Sequence, residues 1–291
     1  MSLRLWSIAG NNLRLDGGAM FGNVPRAMWS HWYEPDEHHR IAMTSRALLV
    51  KGIEGKTVLF ETGIGAFFDP KLKDRYGVLD DGHVLLDSLA ELGLSHEDID
   101  LVVLSHMHFD HAGGLLSEWR EGRETELLFP NAQFLVGADH WARATNGHPR
   151  DRASFLPHLN SLLEQSERLH LVQGDRHELL GDAVRFHYSH GHTPGLMLSE
   201  IRSPSGGGVV FCADLMPGTA WVHLPVTMGY DRYPELLIEE KTDFLADMQS
   251  RNISLYFTHD PVCALAGIGK DEKGRYQAVD CQASVTAQPL D

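Results

Sequence analysis

Six consecutive residues near the middle of the chain constrain its chemistry and local backbone more than any other feature: His106-Met107-His108-Phe109-Asp110-His111. They follow Asp100-Leu101-Val102-Val103-Leu104-Ser105, which reads as a buried strand. In extended backbone the side chains at i and i+2 share a side, so His106 and His108 can grip one cation together. Asp110 and His111 come where the chain turns toward a helix, and the Gly113-Gly114 pair is expected to permit a tight bend there. These two point to a second ion beside the first. Imidazole and carboxylate suit zinc, with manganese, iron or cobalt as the alternatives.

Four donors in six residues cannot complete two coordination spheres, so further ligands are expected downstream at other strand ends. Three segments offer them. Ser189-His190-Gly191-His192-Thr193-Pro194-Gly195 holds His192 between glycines, Phe211-Cys212-Ala213-Asp214 ends a buried strand on a carboxylate, and Tyr256-Phe257-Thr258-His259-Asp260 ends another on an imidazole. A carboxylate such as Asp214 has two oxygens and can bridge cations roughly 3.5–4 Å apart, the spacing two-metal hydrolysis uses. His177, His187 and His190 are expected to support ligands or face solvent, and His38-His39 to lie in a solvated loop.

The pattern around these clusters is a short apolar strand followed by an amphipathic helix. Strands are expected at 47–50, 57–60, 100–105, 133–136, 184–188, 208–212 and 255–258. Helices are expected at 84–92, 139–145, 152–166 and 234–250, the first stopped by Gly93. Ser95 with Asp98 reads as a capping box on one short turn. Such alternation implies layered α/β packing with helices outside. No linker or repeat divides residues 1–291, which read as a single domain.

Bulk composition excludes several roles. Of 291 residues 43% are hydrophobic, and no stretch reaches the roughly 18 apolar residues of a membrane span. The start of the chain lacks a signal-peptide pattern, and Cys212, Cys263 and Cys281 form no C-x-x-C pair, so a reducing cytoplasm is expected. A net charge of −15 with no Lys/Arg run disfavours nucleic acid as a partner.

His106-x-His108-x-Asp110-His111 followed by His192, Asp214 and His259 resembles the metallo-β-lactamase superfamily across essentially the whole chain. The resemblance implies a four-layer αββα fold and two divalent metal ions, zinc first. It assigns His106, His108 and His192 to one metal, Asp110, His111 and His259 to the other, and Asp214 to both. Family members often carry Asp-Thr-Gly after the second strand; here Glu61-Thr62-Gly63 stands instead, and Glu61 is a candidate to orient a ligand histidine.

Within the superfamily, an N-terminal extension (about 10–40) and a loop (about 216–235) resemble the branch of quorum-quenching N-acyl-homoserine lactonases and their phosphotriesterase-like relatives. The segments are Asp16 to Pro25 with Trp29, Ala220 to Pro225, and Met228-Gly229-Tyr230-Asp231. One lactonase group has tyrosine three residues after the bridging aspartate; this chain has Pro217, leaving Tyr230 or His223 as candidate oxyanion donors. Met20-Phe21 and Trp29-Trp32-Tyr33 read either as core or dimer packing, or as an apolar wall receiving an acyl chain. The implied reaction is hydrolysis of a lactone or ester by a metal-bridging hydroxide, with Asp110 passing a proton to the leaving alkoxide. The implied partner is a small molecule with an apolar portion, in a protein that is a candidate homodimer. Alternatives are a phosphotriester or aryl-ester hydrolase, a glyoxalase II-type thioesterase, and a non-catalytic metal-binding protein.

Overall fold

Strands whose side chains are apolar on both faces must be covered on both faces, and the sequence has such runs at 47–50, 58–60 and 101–104. The computed structural model, which describes residues 2–290, buries every one of these side chains. One sheet runs in the order Gln288–Leu290, Leu3–Ile8, Ala47–Ile53, Lys56–Phe60, Leu101–Leu104, Gln133–Gly137, Leu169–Val172. A second runs Tyr276–Gln282, Leu265–Lys270, Ile253–Tyr256, Gly208–Phe211, Leu196–Arg202, Val184–Ser189.

Period-two alternation then sorts side chains between layers. Leu48, Val50, Val58, Phe60, Leu101, Val103 and Leu135 point into the core shared with Phe186, Leu198, Val210 and Leu255 of the second sheet. Leu49, Leu59, Val102, Leu104, Phe134 and Val136 point the other way, onto Leu85 and Leu89 of helix Val84–Glu91 and Leu159 and Leu163 of helix Pro157–Gln165. Helix Pro234–Ser250 packs on the strands Ile253–Tyr256 and Leu265–Lys270 of the second sheet. The result is the expected αββα arrangement.

Local expectations fared unevenly. The Ser95–Asp98 capping box forms, and Gly93 takes a left-handed φ of 69° just past the helix end. The single helix expected over 152–166 is instead a short 3-10 turn, Arg152–Ser154, and the helix Pro157–Gln165, because proline fits only the first turn of a helix. Gly113-Gly114 makes no special bend: Gly113 has helical φ −61° and ψ −30°. Both are glycine because a Cβ on Gly113 would strike the Ile64 carbonyl and one on Gly114 the Thr62 carbonyl.

Residues 10–40 form an appendage. Leu13–Asp16 pairs with Arg40–Met43, and the helices Gly17–Phe21 and Arg26–Trp29 lie between them. Phe21 is sandwiched between Trp29 (5.5 Å) and Trp221 (4.6 Å), so most of the aromatic cluster is packing. Tyr33 is buried and donates to Asp260 (3.0 Å). Trp32 stays exposed.

Candidate metal centre

Each polar cluster sits just beyond the C-terminal end of a strand, and four such ends converge. Leu101–Leu104 delivers His106 and His108, Val184–Ser189 leads to His192, Gly208–Phe211 to Asp214, and Ile253–Tyr256 to His259. His106 and His108 do share a side, with ring centroids 4.4 Å apart, while the intervening Met107 is buried in the core on the opposite side. Met107 is held by its backbone N–H donating to His140 Nε2 (2.8 Å). His140 donates in turn from Nδ1 to the Pro194 carbonyl (3.0 Å), and burial pushes its pKa down to about 3, keeping it neutral.

The seven candidate ligands are brought together. His106, His108, His192 and Asp214 offer donor atoms within 4.8 Å of one another, and so do Asp110, His111 and His259. Asp214 stands between the groups and faces both. Its Oδ2 lies 3.2 Å from His192 Nε2 and 3.9 Å from His106 Nε2. Its Oδ1 lies 3.2 Å from His111 Nε2 and 3.4 Å from His259 Nε2.

The outer nitrogens fix which inner nitrogens carry lone pairs. His259 Nδ1 donates to the Thr44 carbonyl (2.7 Å), and His111 Nδ1 donates to Glu61 Oε2 (3.0 Å). With Nδ1 the donor in each, both Nε2 atoms are bare acceptors in the neutral rings. They face each other at 3.1 Å with the Asp214 carboxylate alongside. His192 repeats the arrangement, donating from Nδ1 to Asp231 Oδ1 (2.9 Å) and turning Nε2 toward His108 Nδ1 (3.3 Å). His106 Nε2 and Asp214 Oδ1 are buried without a hydrogen-bond partner. Acceptors gathered this closely without donors require positive charge between them. Divalent cations fit this donor set.

The titration behaviour agrees. Burial disfavours the charged forms of His111 and His192, yet the surrounding carboxylates outweigh it and raise both. Asp214 acts on both rings, with Asp110 and Glu61 added at His111 and Asp231 at His192. Burial, reinforced by neighbouring imidazoles, holds His106 and His108 well below the usual range. Burial also opposes ionisation of Asp214, but His111 and His192 override it and keep the carboxyl ionised.

Glu61 occupies a left-handed φ of 68°, and its second oxygen, Oε1, accepts the Ser105 N–H (2.6 Å). It thus ties the strand end before His106 to the ring of His111. Asp231 was not singled out from sequence, although it adjoins Tyr230 in a segment that was. It is buried, and its Oδ2 accepts the Met228 N–H (2.6 Å). The other histidines stay off the centre. His187 contacts Glu200 (2.6 Å), His177 accepts from the Leu179 N–H, His190 accepts from the Gly195 N–H, and His38 and His39 are exposed.

A cavity of about 420 Å³ opens over the cluster. Asp110 and the buried His108, His192, Asp214 and His259 form its floor, and its walls include the apolar Leu15, Met20, Met43 and Met228 and the aromatic Tyr76, Phe109 and Tyr230. The N-terminal appendage and the 216–235 loop therefore both reach the site. Arg150 borders the mouth and donates to the Gly229 carbonyl (2.8 Å), linking two loops. Tyr230 is 45% exposed there, and burial together with Asp110 and Asp16 pushes its phenol up to about 12. His223 is placed elsewhere, in a groove with Trp32, Val262 and Tyr276. The loop is tied down by Lys241, buried on helix Pro234–Ser250, whose Nζ donates to the carbonyls of Trp221 (3.0 Å), His223 (3.5 Å) and Val226 (2.7 Å); burial brings its pKa down to about 7. His223 and Tyr230, on the same loop, line different cavities.

Residues 42–252 match the profile of the metallo-beta-lactamase superfamily. N-acyl homoserine lactonase AiiA of Bacillus thuringiensis subsp. kurstaki is 26% identical over 130 residues, 45% of this chain and 44% of that protein. The chain thus matches less than half the length of that relative. A probable metal-dependent hydrolase from Staphylococcus aureus superposes with a TM-score of 0.85 at 26% identity, covering 98% of this chain and 99% of the other. The dizinc quorum-quenching lactonase AidC, solved with an N-acyl-homoserine product, shares the fold with a TM-score of 0.71 at 22% identity, over 95% of this chain and 94% of its own.

Proposed function

This chain belongs to the metallo-beta-lactamase superfamily, and from that premise we propose that it is a dinuclear metal-dependent hydrolase that opens an N-acyl-homoserine lactone. One observation carries the reading: the two oxygens of Asp214 face two separate groups of imidazoles below an apolar-walled cavity. His106, His108 and His192 would hold one ion and Asp110, His111 and His259 the other, with Asp214 shared. Zinc is the proposed metal at both positions. Bound there, the two ions supply Lewis acidity toward a carbonyl oxygen and lower the pKa of coordinated water from about 15.7 toward about 7.

The residues around them divide the remaining work. Glu61, Asp231 and the Thr44 carbonyl hold His111, His192 and His259 in the tautomer that presents Nε2 to the centre. Leu15, Met20, Met43 and Met228 receive the acyl chain, so that the substrate's polar end faces the floor. Tyr230 stays protonated at neutral pH and can donate to the oxygen that gains charge in the tetrahedral state. Asp110, on the cavity floor, can carry a proton to the departing alkoxide. His223 is left without a place in this scheme, since it does not line the cavity.

Rates of the zinc- and manganese-loaded protein on acyl-homoserine lactones, aryl esters, a phosphotriester and a glutathione thioester test the proposal. The lactones should show the highest kcat/KM. A fully metallated protein that leaves them intact would end the lactonase reading.

A further inference from the structure

Two of the three cysteines meet at a place the metal pocket does not use. Cys263 follows the turn at Asp260 and is 1% exposed. Its backbone N–H donates to Asp260 Oδ1 (2.9 Å) and its thiol to the Leu265 carbonyl (3.5 Å). Cys281 is exposed, near the end of strand Tyr276–Gln282. That strand pairs with Leu265–Lys270 through a register shift between Leu265 and Gly267, and Asp280 takes a left-handed φ of 52° immediately before Cys281. Bulges of this kind re-aim side chains. The Ala264 N–H donates to the Gln282 carbonyl (2.7 Å), which brings the residue before each of them, Cys263 and Cys281, to the same stretch of the strand pair. Both cysteines line one groove, and after burial the neighbouring Cys281 thiol is the next influence raising the pKa of the Cys263 thiol. Cys212 is buried beyond strand Gly208–Phe211 and does not line that groove.

We propose that Cys263 and Cys281 are a redox pair that closes to an intramolecular disulfide by exchange with a low-molecular-weight disulfide from solvent. The exposed Cys281, as thiolate, attacks one sulfur of that disulfide, forming a mixed disulfide and releasing the first small thiolate. The released thiolate takes the proton of Cys263, whose sulfur attacks Cys281 and expels the second, which leaves as a thiol on gaining the proton Cys281 gave up. Protein dithiol is oxidised and one small disulfide is reduced to two thiols.

The roles follow from access. Burial keeps the Cys263 thiol protonated, so it is protected from the oxidant and acts only on a partner already beside it. The bond would tie the turn after His259 to the outer strand of the second sheet. Asp260 already organises that turn, accepting from Thr219 (2.8 and 2.7 Å), Tyr33 (3.0 Å) and Val262 (3.0 Å) as well as Cys263.

The test treats the folded full chain with excess oxidised glutathione, then measures intact mass, thiols titratable in denaturant, and tryptic peptides. The expected product has lost the mass of two hydrogens and keeps one free thiol, Cys212. It yields a single linked peptide carrying Cys263 and Cys281, and dithiothreitol restores all three thiols. Cys263→Ser should instead stop at a stable glutathione adduct on Cys281, and Cys281→Ser should give no loss of two hydrogens. The proposal is overturned by a wild-type chain that keeps three thiols, by one that stops at the Cys281 adduct, or by a covalent dimer through Cys281.

Discussion

Replacing Asp231 by asparagine tests how the centre holds His192. Asp231 accepts two hydrogen bonds, from His192 Nδ1 at 2.9 Å and from the Met228 N–H at 2.6 Å. Asparagine keeps the volume but has one acceptor oxygen and one donor amide. Whichever way it sits, an N–H meets an N–H: either His192 loses the partner that fixes its tautomer, or Met228 is orphaned and the turn carrying Tyr230 shifts. Loss of such a supporting carboxylate costs roughly 10–100-fold in metal affinity. That is about 1.4–2.7 kcal/mol. The loss should fall on one ion of the two, because Asp231 touches His192 and neither His111 nor His259. Competition titration against a chromophoric chelator, which separates the two equivalents, is the assay. Asp231→Asn should weaken one equivalent and spare the other. Unchanged affinity at both, or equal weakening of both, would refute the argument that Asp231 acts through His192.

Four other outcomes follow from the same geometry. His108→Ala or Asp214→Asn should abolish stoichiometric metal binding and turnover together, read by elemental analysis and lactone hydrolysis. Tyr230→Phe should lower kcat about 10–100-fold with little change in KM, less than the roughly 10²–10³ of a fully enclosed donor, because this phenol is half in solvent. Met20→Ala should raise KM for long-chain lactones more than for short-chain ones, since the side chain forms part of the apolar wall. Glu200 concerns stability: burial opposes its charge, but hydrogen bonds from His187 and Arg251 prevail and bring its pKa from 4.5 to about 2. A depressed folded-state pKa gives stability that is full above 4.5 and lost as pH falls through 2. The amount is about 3 kcal/mol, so urea denaturation of Glu200→Gln should show a flatter pH dependence across that window than wild type.

Much of the centre was legible because metal chemistry restricts residue type and spacing locally. His106 to His111 can be read within one turn of chain, and His192, Asp214 and His259 each close a recognisable apolar strand. The layered fold was legible for a similar reason, since strands buried on both faces announce themselves as continuous apolar runs. The partners of the ligands were not. Glu61 meets His111 across 50 positions, Asp231 meets His192 across 39 and the Thr44 carbonyl meets His259 across 215. A hydrogen bond between distant segments leaves no period in the sequence, and a backbone carbonyl leaves no residue type either.

The substrate cavity shows the same division more sharply. Tyr230 and His223 stand on one short loop and offered equal chemistry from sequence, yet only Tyr230 reaches the metal pocket. Between them the loop is tied to a lysine on another element. The buried Lys241 amine needs hydrogen-bond acceptors, and it donates to the loop carbonyls at 221, 223 and 226. Sequence alone picked out the candidate ligand atoms, because that depends on chemical identity at a strand's end. Tertiary structure decided which neighbours orient those atoms and which side chain overlooks them, because that depends on contacts between segments that are apart in sequence.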